Sequence, residues 1–372
     1  MHAAAILSLK LSHFRSHRAS EVAAGQRSVA LVGPNGAGKT NVLEAVSLLS
    51  PGRGLRLAKA EELARRPEGI GWRLLAEVMC RDGWHEVEIR AEGQGRRKVL
   101  IDGKARPQLA LARLVRILWL VPAMDRLWTE SAEGRRRFLD RATMSLFPDH
   151  GAAVLAYEKA LRERNRLLRE GVDDPAWHEA LEAEMARHGA AVMARRLEAL
   201  DLVAAALDEM TETHFPRPAL SLVPAEGELL VASEDLRLAL WQNRMRDLAA
   251  GRTLLGPHRV DLEAIYAARE MPARLCSTGE QKALLVSFVL ANARAIMNRT
   301  ALPPVLLLDE IAAHLDPERR AALFAEIVAL GAQAWMTGTD ATVFAPFPAE
   351  LLRLFVHADV NGSRIVPLEE DG

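Results

Sequence analysis

The residues best suited to chemistry include a glycine-rich stretch near the beginning of the chain. It consists of Gly33, Pro34, Asn35, Gly36, Ala37, Gly38, Lys39 and Thr40. An apolar run precedes it and residues 41–49 have a helical pattern, so the stretch should connect a strand to a helix. Its glycines allow backbone N–H groups to point at phosphate oxygens, while Lys39 adds positive charge and Thr40 offers a hydroxyl to Mg²⁺. This spacing predicts a site for nucleotide phosphates, since an ordinary glycine turn would require neither Lys39 nor Thr40.

A second stretch, residues 305–310, has four aliphatic residues followed by two carboxylates. The aliphatic residues predict a buried parallel strand, and open α/β sheets bind ligands at the carboxyl ends of such strands. We expect Asp309 to hold Mg²⁺ through water and Glu310 to accept a proton from the attacking water. Two acids after a strand can also simply cap the next helix. Together with the phosphate loop, however, they favour ATP hydrolysis.

A third stretch, residues 276–282, begins an apolar helical pattern. Serine, glycine and glutamate are common at helix starts, so capping alone is one interpretation. The combination of Ser277, Gly279 and Gln281, followed later by a strand with two carboxylates, resembles the signature motif of ABC-type ATPases. The resemblance implies that these residues contact the γ-phosphate of ATP held by a second subunit. ATP would then hold a homodimer together.

Further motifs narrow the family. They are Phe14-Arg15 after an alternating strand pattern, residues 135–140 (RRRFLD), residues 255–262 (LGPHRVDL), Lys282 and residues 315–320 (LDPERR). In this order they resemble the RecF family of bacterial recombination mediators. The resemblance implies an α/β fold, in which an ABC-type ATPase head with a mixed sheet and a phosphate loop carries an inserted, mostly helical arm.

The RecF resemblance also implies a function. ATP and Mg²⁺ would be the cofactors, and hydrolysis would be slow. An ATP-dependent homodimer would form on gapped DNA or on junctions of single-stranded and duplex DNA. RecR and RecO would be partners in loading RecA.

Residues outside the three stretches are assigned by the same resemblance. Arg15, Asn41 and Asp316 are expected at the bound nucleotide, and Thr339 is expected as a catalytic group beside Lys39 and Glu310. His258 and Arg259 are expected near the nucleotide or the dimer contact.

Two groups of arginines are candidates for contact with DNA phosphates. Arg53 and Arg56 follow the phosphate-loop helix. The resemblance to DNA-organising ATPases implies that an arginine in this neighbourhood couples DNA to the nucleotide site, with a plain surface turn as the alternative. Arg162, Arg166 and Arg169 recur at helical spacing, but glutamates interleave with them. A solvated, salt-bridged helix face is therefore favoured for the second group.

Hydropathy patterns divide the chain into three segments. Residues 1–122 and 254–372 are expected to form the two parts of the head, and residues 123–253 the helical arm. Within the arm, one helix is expected over residues 234–249.

Bulk composition favours a cytoplasmic protein. The chain has 372 residues, 49% of them hydrophobic, a formal net charge of −1 and two cysteines without metal-ligand spacing. No apolar run approaches the roughly 20 residues that a membrane helix needs, so no membrane contact is expected.

Two other functions compete with the RecF-like one. The chain could be the ATPase subunit of a membrane transporter, although the strand end at residues 118–120 lacks the glutamine of an ABC coupling loop. It could also be a nucleotide-gated binding module with negligible turnover.

Overall fold

The computed structural model describes residues 4–66, 68–93, 95–172, 174–210, 214–311 and 315–368. Its strands are β1 (Ala5–Phe14), β2 (His17–Ala23), β3 (Ser28–Val32), β4 (Gly71–Cys80), β5 (Gly83–Glu92), β6 (Lys98–Ile101), β7 (Lys104–Arg106), β8 (Ile117–Leu120), β9 (Pro218–Pro224), β10 (Val260–Tyr266), β11 (Met271–Pro272), β12 (Val305–Leu308), β13 (Ala334–Gly338), β14 (Leu351–Asp359) and β15 (Gly362–Pro367). Its α-helices are α1 (Lys39–Ser47), α2 (Leu111–Leu114), α3 (Ala132–Leu146), α4 (His150–Glu170), α5 (Pro175–Glu209), α6 (Ser233–Gln242), α7 (Arg244–Ala250), α8 (Thr278–Thr300) and α9 (Pro317–Ala329).

The chain forms two compact units. The first contains residues 1–124, 211–215 and 289–372, and the second contains residues 125–210 and 216–288. Helix α8 therefore begins in the second unit and ends in the first. None of the described helices combines the length and the apolar character needed to cross a bilayer.

The first unit contains two six-stranded sheets. One has the order β15-β14-β3-β13-β12-β8, in which only β15 is antiparallel to its neighbour. Strands β3 and β12 are completely buried, which explains why their sequences, SVALV and VLLL, are almost continuously apolar. The other sheet, β2-β1-β4-β5-β6-β7, is antiparallel throughout.

Helices α3 to α7 and an antiparallel sheet, β11-β10-β9, form most of the second unit. This unit extends to Phe288, whereas the sequence patterns place the end of the arm at residue 253. The reason is that β10 pairs with β9 along its whole length, from Val260 opposite Pro224 to Tyr266 opposite Pro218. The segment from 254 to 288 therefore packs with the arm helices.

The helix expected over residues 234–249 is broken into α6 and α7. Asn243 lies at the break with φ −87° and ψ 0°, outside the helical region. Its side-chain amide donates a 2.8 Å hydrogen bond to Asp247 Oδ1. Asn243 thus ends α6 and precedes α7, and the apolar spacing that favours one helix continues across this break.

Candidate nucleotide-binding site

The phosphate loop has a backbone shape that requires glycine at two positions. Gly33 has φ +153° and Gly38 has φ +108°. A Cβ atom at Gly33 would lie 2.1 Å from the Val356 carbonyl oxygen, and one at Gly38 would lie 2.4 Å from the Ser363 hydroxyl oxygen. The loop leads directly into the N-terminus of α1, where the first backbone N–H groups have no partner within the helix. This is the arrangement that a phosphate group needs.

Lys39 lies folded against the loop. Its Nζ donates hydrogen bonds of 2.6 Å to the Gly33 oxygen and 3.0 Å to the Pro34 oxygen. Burial lowers the pKa of Lys39, while the negative charges of Glu310 and Asp309 oppose this shift. The two carboxylates therefore lie close enough to act on the lysine, and the three charged groups predicted from separate motifs share one site.

Thr40 and Asp309 are in direct contact. The Thr40 hydroxyl donates a 2.8 Å hydrogen bond to Asp309 Oδ1, and Asp309 is 6% exposed. Because a hydroxyl has one proton, this bond leaves both lone pairs of Thr40 Oγ1 free to face a cation. A hydroxyl oxygen beside a buried carboxylate is a donor set that suits Mg²⁺. Thr40 and Asp309 therefore fit the expected metal, which would neutralise charge on the phosphate oxygens.

Thr337 is the group that sequence reasoning missed. It is 1% exposed, and its hydroxyl donates a 2.8 Å hydrogen bond to Asp309 Oδ1 and accepts a 2.9 Å bond from the Glu310 N–H. Thr339, which the resemblance assigns as a catalytic group, is exposed and follows β13. A signal was present, because Thr337 is the one polar side chain in the buried strand AWMTG.

Asn41 is joined to the underside of the loop by a chain of small polar groups. Its amide donates a 2.7 Å hydrogen bond to Ser16 Oγ. The Ser363 hydroxyl lies 2.6 Å from both Ser16 Oγ and the Ala37 oxygen. His17, which is fully buried, lies 3.1 Å from the Gly38 oxygen, and burial lowers the pKa of its imidazole. A neutral His17 would donate this bond to the Gly38 oxygen. Side chains from β2, α1 and β15 therefore support the phosphate loop.

Arg15 and Arg56 share one buried carboxylate. Arg15 donates two hydrogen bonds, of 2.8 and 2.7 Å, to Glu44, whose side chain is fully buried in α1. Arg56 lies 3.3 Å from the same carboxylate and donates a 2.8 Å bond to Asn41 Oδ1. Arg15 therefore contacts the helix that follows the loop, and Arg56 is connected through Asn41 to the loop itself.

Arg53 lines a basic groove in the first unit, with a volume of about 310 Å³. The other cationic residues that line it are Lys59, Arg96 and Arg97. Arg97 donates hydrogen bonds to the Gly52 oxygen and to Gln108 Oε1, and burial lowers the pKa of Arg97 to about 10. Arg97 therefore holds the turn that carries Arg53 in place. Arg96, although distant from Arg53 in the sequence, lines the same groove.

The signature residues begin α8 in the second unit. Ser277 and Gly279 are exposed, and nothing lies within 4 Å of a Cβ placed on Gly279. The Ser277 hydroxyl donates a 2.8 Å bond to Glu280, which also accepts from the Ser277 N–H. Gln281 is buried, and its amide donates to the Cys276 oxygen at 2.8 Å. A capping box is therefore present at this helix start, as one of the two interpretations requires.

Asp316 is the N-cap of α9. Its side chain accepts a 2.9 Å hydrogen bond from the Arg319 N–H. The geometry accounts for Asp316 as a helix cap.

Comparison with known proteins identifies the family. The family described as RecF/RecN/SMC N terminal domain matches residues 5–359. The DNA replication and repair protein RecF of Mesorhizobium japonicum is 48% identical over 353 residues, covering 91% of this chain and 93% of the relative. RecF of Agrobacterium fabrum is 48% identical over 348 residues, with the same coverages of 91% and 93%. This chain belongs to the RecF family.

Solved structures agree with this assignment at the level of fold. The structure of the recombination mediator protein RecF-ATP in the RecFOR pathway aligns with a TM-score of 0.86 at 21% identity, covering 99% of this chain and 98% of that one. An SMC head bound to the C-winged helix domain of ScpA aligns with a TM-score of 0.56 at 16% identity, covering 98% of each chain. The predicted fold class, an ABC-type ATPase head with an inserted arm, is confirmed.

The RecF motif at residues 255–262 has a structural explanation. His258 Nε2 lies 3.1 Å from the Thr253 carbonyl oxygen, which can only accept, so this nitrogen carries the proton. Nδ1 then accepts a 2.7 Å hydrogen bond from the Tyr157 hydroxyl. Burial, together with nearby arginines, lowers the pKa of His258 to about 4. This neutral histidine attaches the motif to α4, within the second unit.

Proposed function

We propose that this RecF-family chain is an ATP-dependent DNA-binding protein of recombinational repair. ATP binds with Mg²⁺, drives formation of a homodimer on DNA and is then hydrolysed slowly. The proposal rests chiefly on the 2.8 Å contact between Thr40 and Asp309, which joins the phosphate loop to the strand that carries Glu310. If residues 33–40 were only a glycine turn and residues 309–310 only a helix cap, no contact between Thr40 and Asp309 would be expected.

In the proposed reaction, Lys39 moves from the Gly33 and Pro34 oxygens to the β- and γ-phosphates. Thr40 and Asp309 would hold Mg²⁺, which would neutralise charge on the phosphate oxygens. Glu310 accepts the proton of the attacking water. Because Asp309 is buried, bulk water does not compete with the cation for its carboxylate oxygens.

A second copy of the chain completes the site. Ser277 and Gly279 are exposed at the start of a helix, and no residue of the described part of the chain fills the space beside Gly279. A helix N-terminus favours an anion, so the signature residues of one copy would close on the γ-phosphate held by the other. ADP lacks that phosphate, and the dimer therefore loosens after hydrolysis.

DNA binds mainly through its phosphates. The groove lined by Arg53, Lys59, Arg96 and Arg97 supplies clustered positive charge on a chain whose formal net charge is only −1. Arg56 adds a connection from this surface through Asn41 to the phosphate loop. The preferred substrates are gapped DNA and junctions of single-stranded and duplex DNA. RecR and RecO are the proposed partners, in line with the name of the RecFOR pathway in which the structural relatives are described. Together they would load RecA in the cytoplasm.

The dimer fraction tests this proposal. Sedimentation of the wild-type protein with ATP, with ADP and without nucleotide should show a dimer only with ATP. Glu310→Gln should retain that dimer, more persistently than wild type, while phosphate release falls at least tenfold. Gapped DNA should stabilise the dimer more than blunt duplex does. Equal association under all three nucleotide conditions would contradict the mechanism.

A control variant separates nucleotide binding from folding. Lys39→Met removes the cation but retains an unbranched chain of similar length. It should lose ATP binding or hydrolysis while the melting temperature without nucleotide changes little. Unchanged ATP hydrolysis would refute the phosphate-loop assignment.

A further inference from the structure

The strand register of the first unit places a third polar residue between the two carboxylates. Strands β12 and β13 are parallel, with Leu308 opposite Met336. The residues that follow, Asp309 and Thr337, are therefore side by side. Asp309 and Glu310 belong to one motif in the sequence, whereas Thr337 comes from a different strand.

The Thr337 hydroxyl joins both members of the carboxylate pair. Its single proton is donated to Asp309 Oδ1, at 2.8 Å, and its lone pair accepts from the Glu310 N–H, at 2.9 Å. The side chain is 1% exposed, so water does not compete for these bonds. Both of these hydrogen bonds connect the hydroxyl to residues of the carboxylate pair.

The backbone of Glu310 needs such a restraint. Its φ is +55°, in the left-handed region that a residue with a Cβ rarely adopts. A conformation of this kind is unfavourable and persists only when the surroundings fix it. In this conformation the Glu310 N–H donates a hydrogen bond to the buried Thr337 hydroxyl, which holds the backbone in place. The direction of the Glu310 side chain follows from that backbone.

Asp309 is restrained at the same oxygen. Oδ1 accepts from Thr40 on one side and from Thr337 on the other, both at 2.8 Å. These two donors set the rotation of the carboxylate, which leaves Oδ2 to face the expected cation or its water. Removal of one donor would free the carboxylate to rotate.

We propose that Thr337 is a positioning residue for ATP hydrolysis, which fixes the Glu310 backbone and the Asp309 carboxylate at the same time. It does not touch the nucleotide. Its loss therefore reduces the rate of the chemical step and leaves ATP affinity almost unchanged. This inference rests on the proposed ATPase function.

Two variants test the role. Thr337→Val has nearly the same shape without the hydroxyl, and Thr337→Ser keeps the hydroxyl. We expect Thr337→Val to lower kcat at least tenfold, with less than a threefold change in the ATP concentration for half-maximal dimerisation. Thr337→Ser should stay within about threefold of wild type.

A double variant separates positioning from general destabilisation. Because part of the effect of Thr337 passes through Glu310, adding Thr337→Val to Glu310→Gln should lower the residual rate by about threefold or less, a smaller loss than the same substitution causes in the wild type. A further tenfold loss in the double variant would overturn the inference. So would full activity of Thr337→Val, or equal loss in the Val and Ser variants. Absence of turnover in the wild-type protein would instead refute the proposed function itself.

Discussion

Arg135 and Asp261 form an ion pair that joins the two RecF-like motifs at residues 135–140 and 255–262. Arg135 Nε lies 2.9 Å from Asp261 Oδ1, and Nη2 lies 2.6 Å from Oδ2. The two hydrogen bonds are parallel, the strong geometry for a guanidinium and a carboxylate. A second link joins the same motifs through α5, since Arg196 binds both Asp140 and the Pro257 oxygen. The motifs at residues 135–140 and 255–262 are thus held together by hydrogen bonds within the second unit.

Removal of Arg135 should destabilise the second unit. The side chains of Arg135 and Asp261 are 15% and 24% exposed, so Arg135→Ala would leave a largely buried carboxylate without its partner. We expect a loss of about 1.5–3 kcal/mol in the free energy of unfolding, measured with urea. Arg137→Ala is the matched control, because Arg137 is 51% exposed and pairs with Glu133 on the same helix. Its effect should stay below about 0.5 kcal/mol. Equal effects of the two variants would contradict this interpretation.

Arg164 should have a larger effect. It is fully buried in α4 and donates to Glu182 at 3.0 Å and to Asp247 at 2.6 Å, and both of these carboxylates are buried as well. Arg164→Ala would leave two buried negative charges with less compensation, at a cost of about 3–5 kcal/mol. Arg162, two residues earlier, is 66% exposed and forms only a 3.6 Å pair with Glu158. Urea unfolding should therefore leave Arg162→Ala within about 0.5 kcal/mol of wild type.

His258 predicts a dependence of stability on pH. Its pKa is about 4 in the folded chain, below the ordinary value of 6.5, so the unfolded chain binds a proton more readily. Stability from this group is complete above pH 6.5 and falls as the pH decreases towards 4. Between pH 7.5 and pH 5 the wild type should lose about 2 kcal/mol from this source.

A variant isolates that contribution. His258→Gln keeps a donor and an acceptor but cannot titrate, while His17, whose pKa is also lowered, remains in both proteins. The difference in unfolding free energy between wild type and variant should therefore shrink as the pH falls from 7.5 to 5. A difference that is the same at both pH values would show that His258 does not titrate in this range.

Sequence reasoning found the contiguous parts of the site and missed the parts made by strand pairing. The phosphate loop and Asp309-Glu310 are local patterns whose residue types are dictated by phosphate and metal. The place of Thr337 depends on which strand lies beside β12 and in which register, and no local pattern contains that information. The family resemblance places a catalytic group at Thr339, which lies just beyond the end of β13.

The same limit applies to charged residues. Two arginines, Arg15 and Arg56, share the buried carboxylate of Glu44. The spacing of these three residues along the sequence does not predict that contact. For the arm arginines, by contrast, the interleaved glutamates were informative. Arg162 and Arg166 each lie within 4 Å of a glutamate on the same helix, as a solvated and salt-bridged face predicts.

Arg53 and Arg56 should differ in how they affect DNA binding. Arg53 lines the basic groove, so Arg53→Ala should lower the slope of log affinity against log salt by about 0.9 for one lost phosphate contact on duplex. Arg56 is bound to Glu44 and Asn41, and its loss should mainly reduce the stimulation of ATP hydrolysis by DNA. Salt titrations of DNA binding and ATPase assays with and without DNA distinguish the two. If both variants changed only affinity, Arg56 would have no coupling role.

Ser277→Arg should prevent dimer closure without removing nucleotide binding from the monomer. Ser277 is exposed, so the larger side chain fits in the single chain, but it would occupy the space that the γ-phosphate of a second copy needs. Loss of the cap should cost about 1 kcal/mol of stability, which Ser277→Ala reproduces without the added bulk. Fluorescent ATP binding should persist in both variants, while the ATP-dependent dimer disappears in Ser277→Arg. Loss of nucleotide binding as well would mean that the head had misfolded.

Mixing two defective proteins makes this prediction sharper. A dimer of one Ser277→Arg copy and one Lys39→Met copy contains one site with an intact phosphate loop and an intact signature, and one site with both defects. If each site uses both chains, the mixture should regain ATP hydrolysis, up to about half the wild-type rate per dimer if the two sites act independently. If the signature acted on the nucleotide of its own chain, both sites in the mixture would carry one defect and no activity would return. The mixture therefore distinguishes a shared site from a self-contained one.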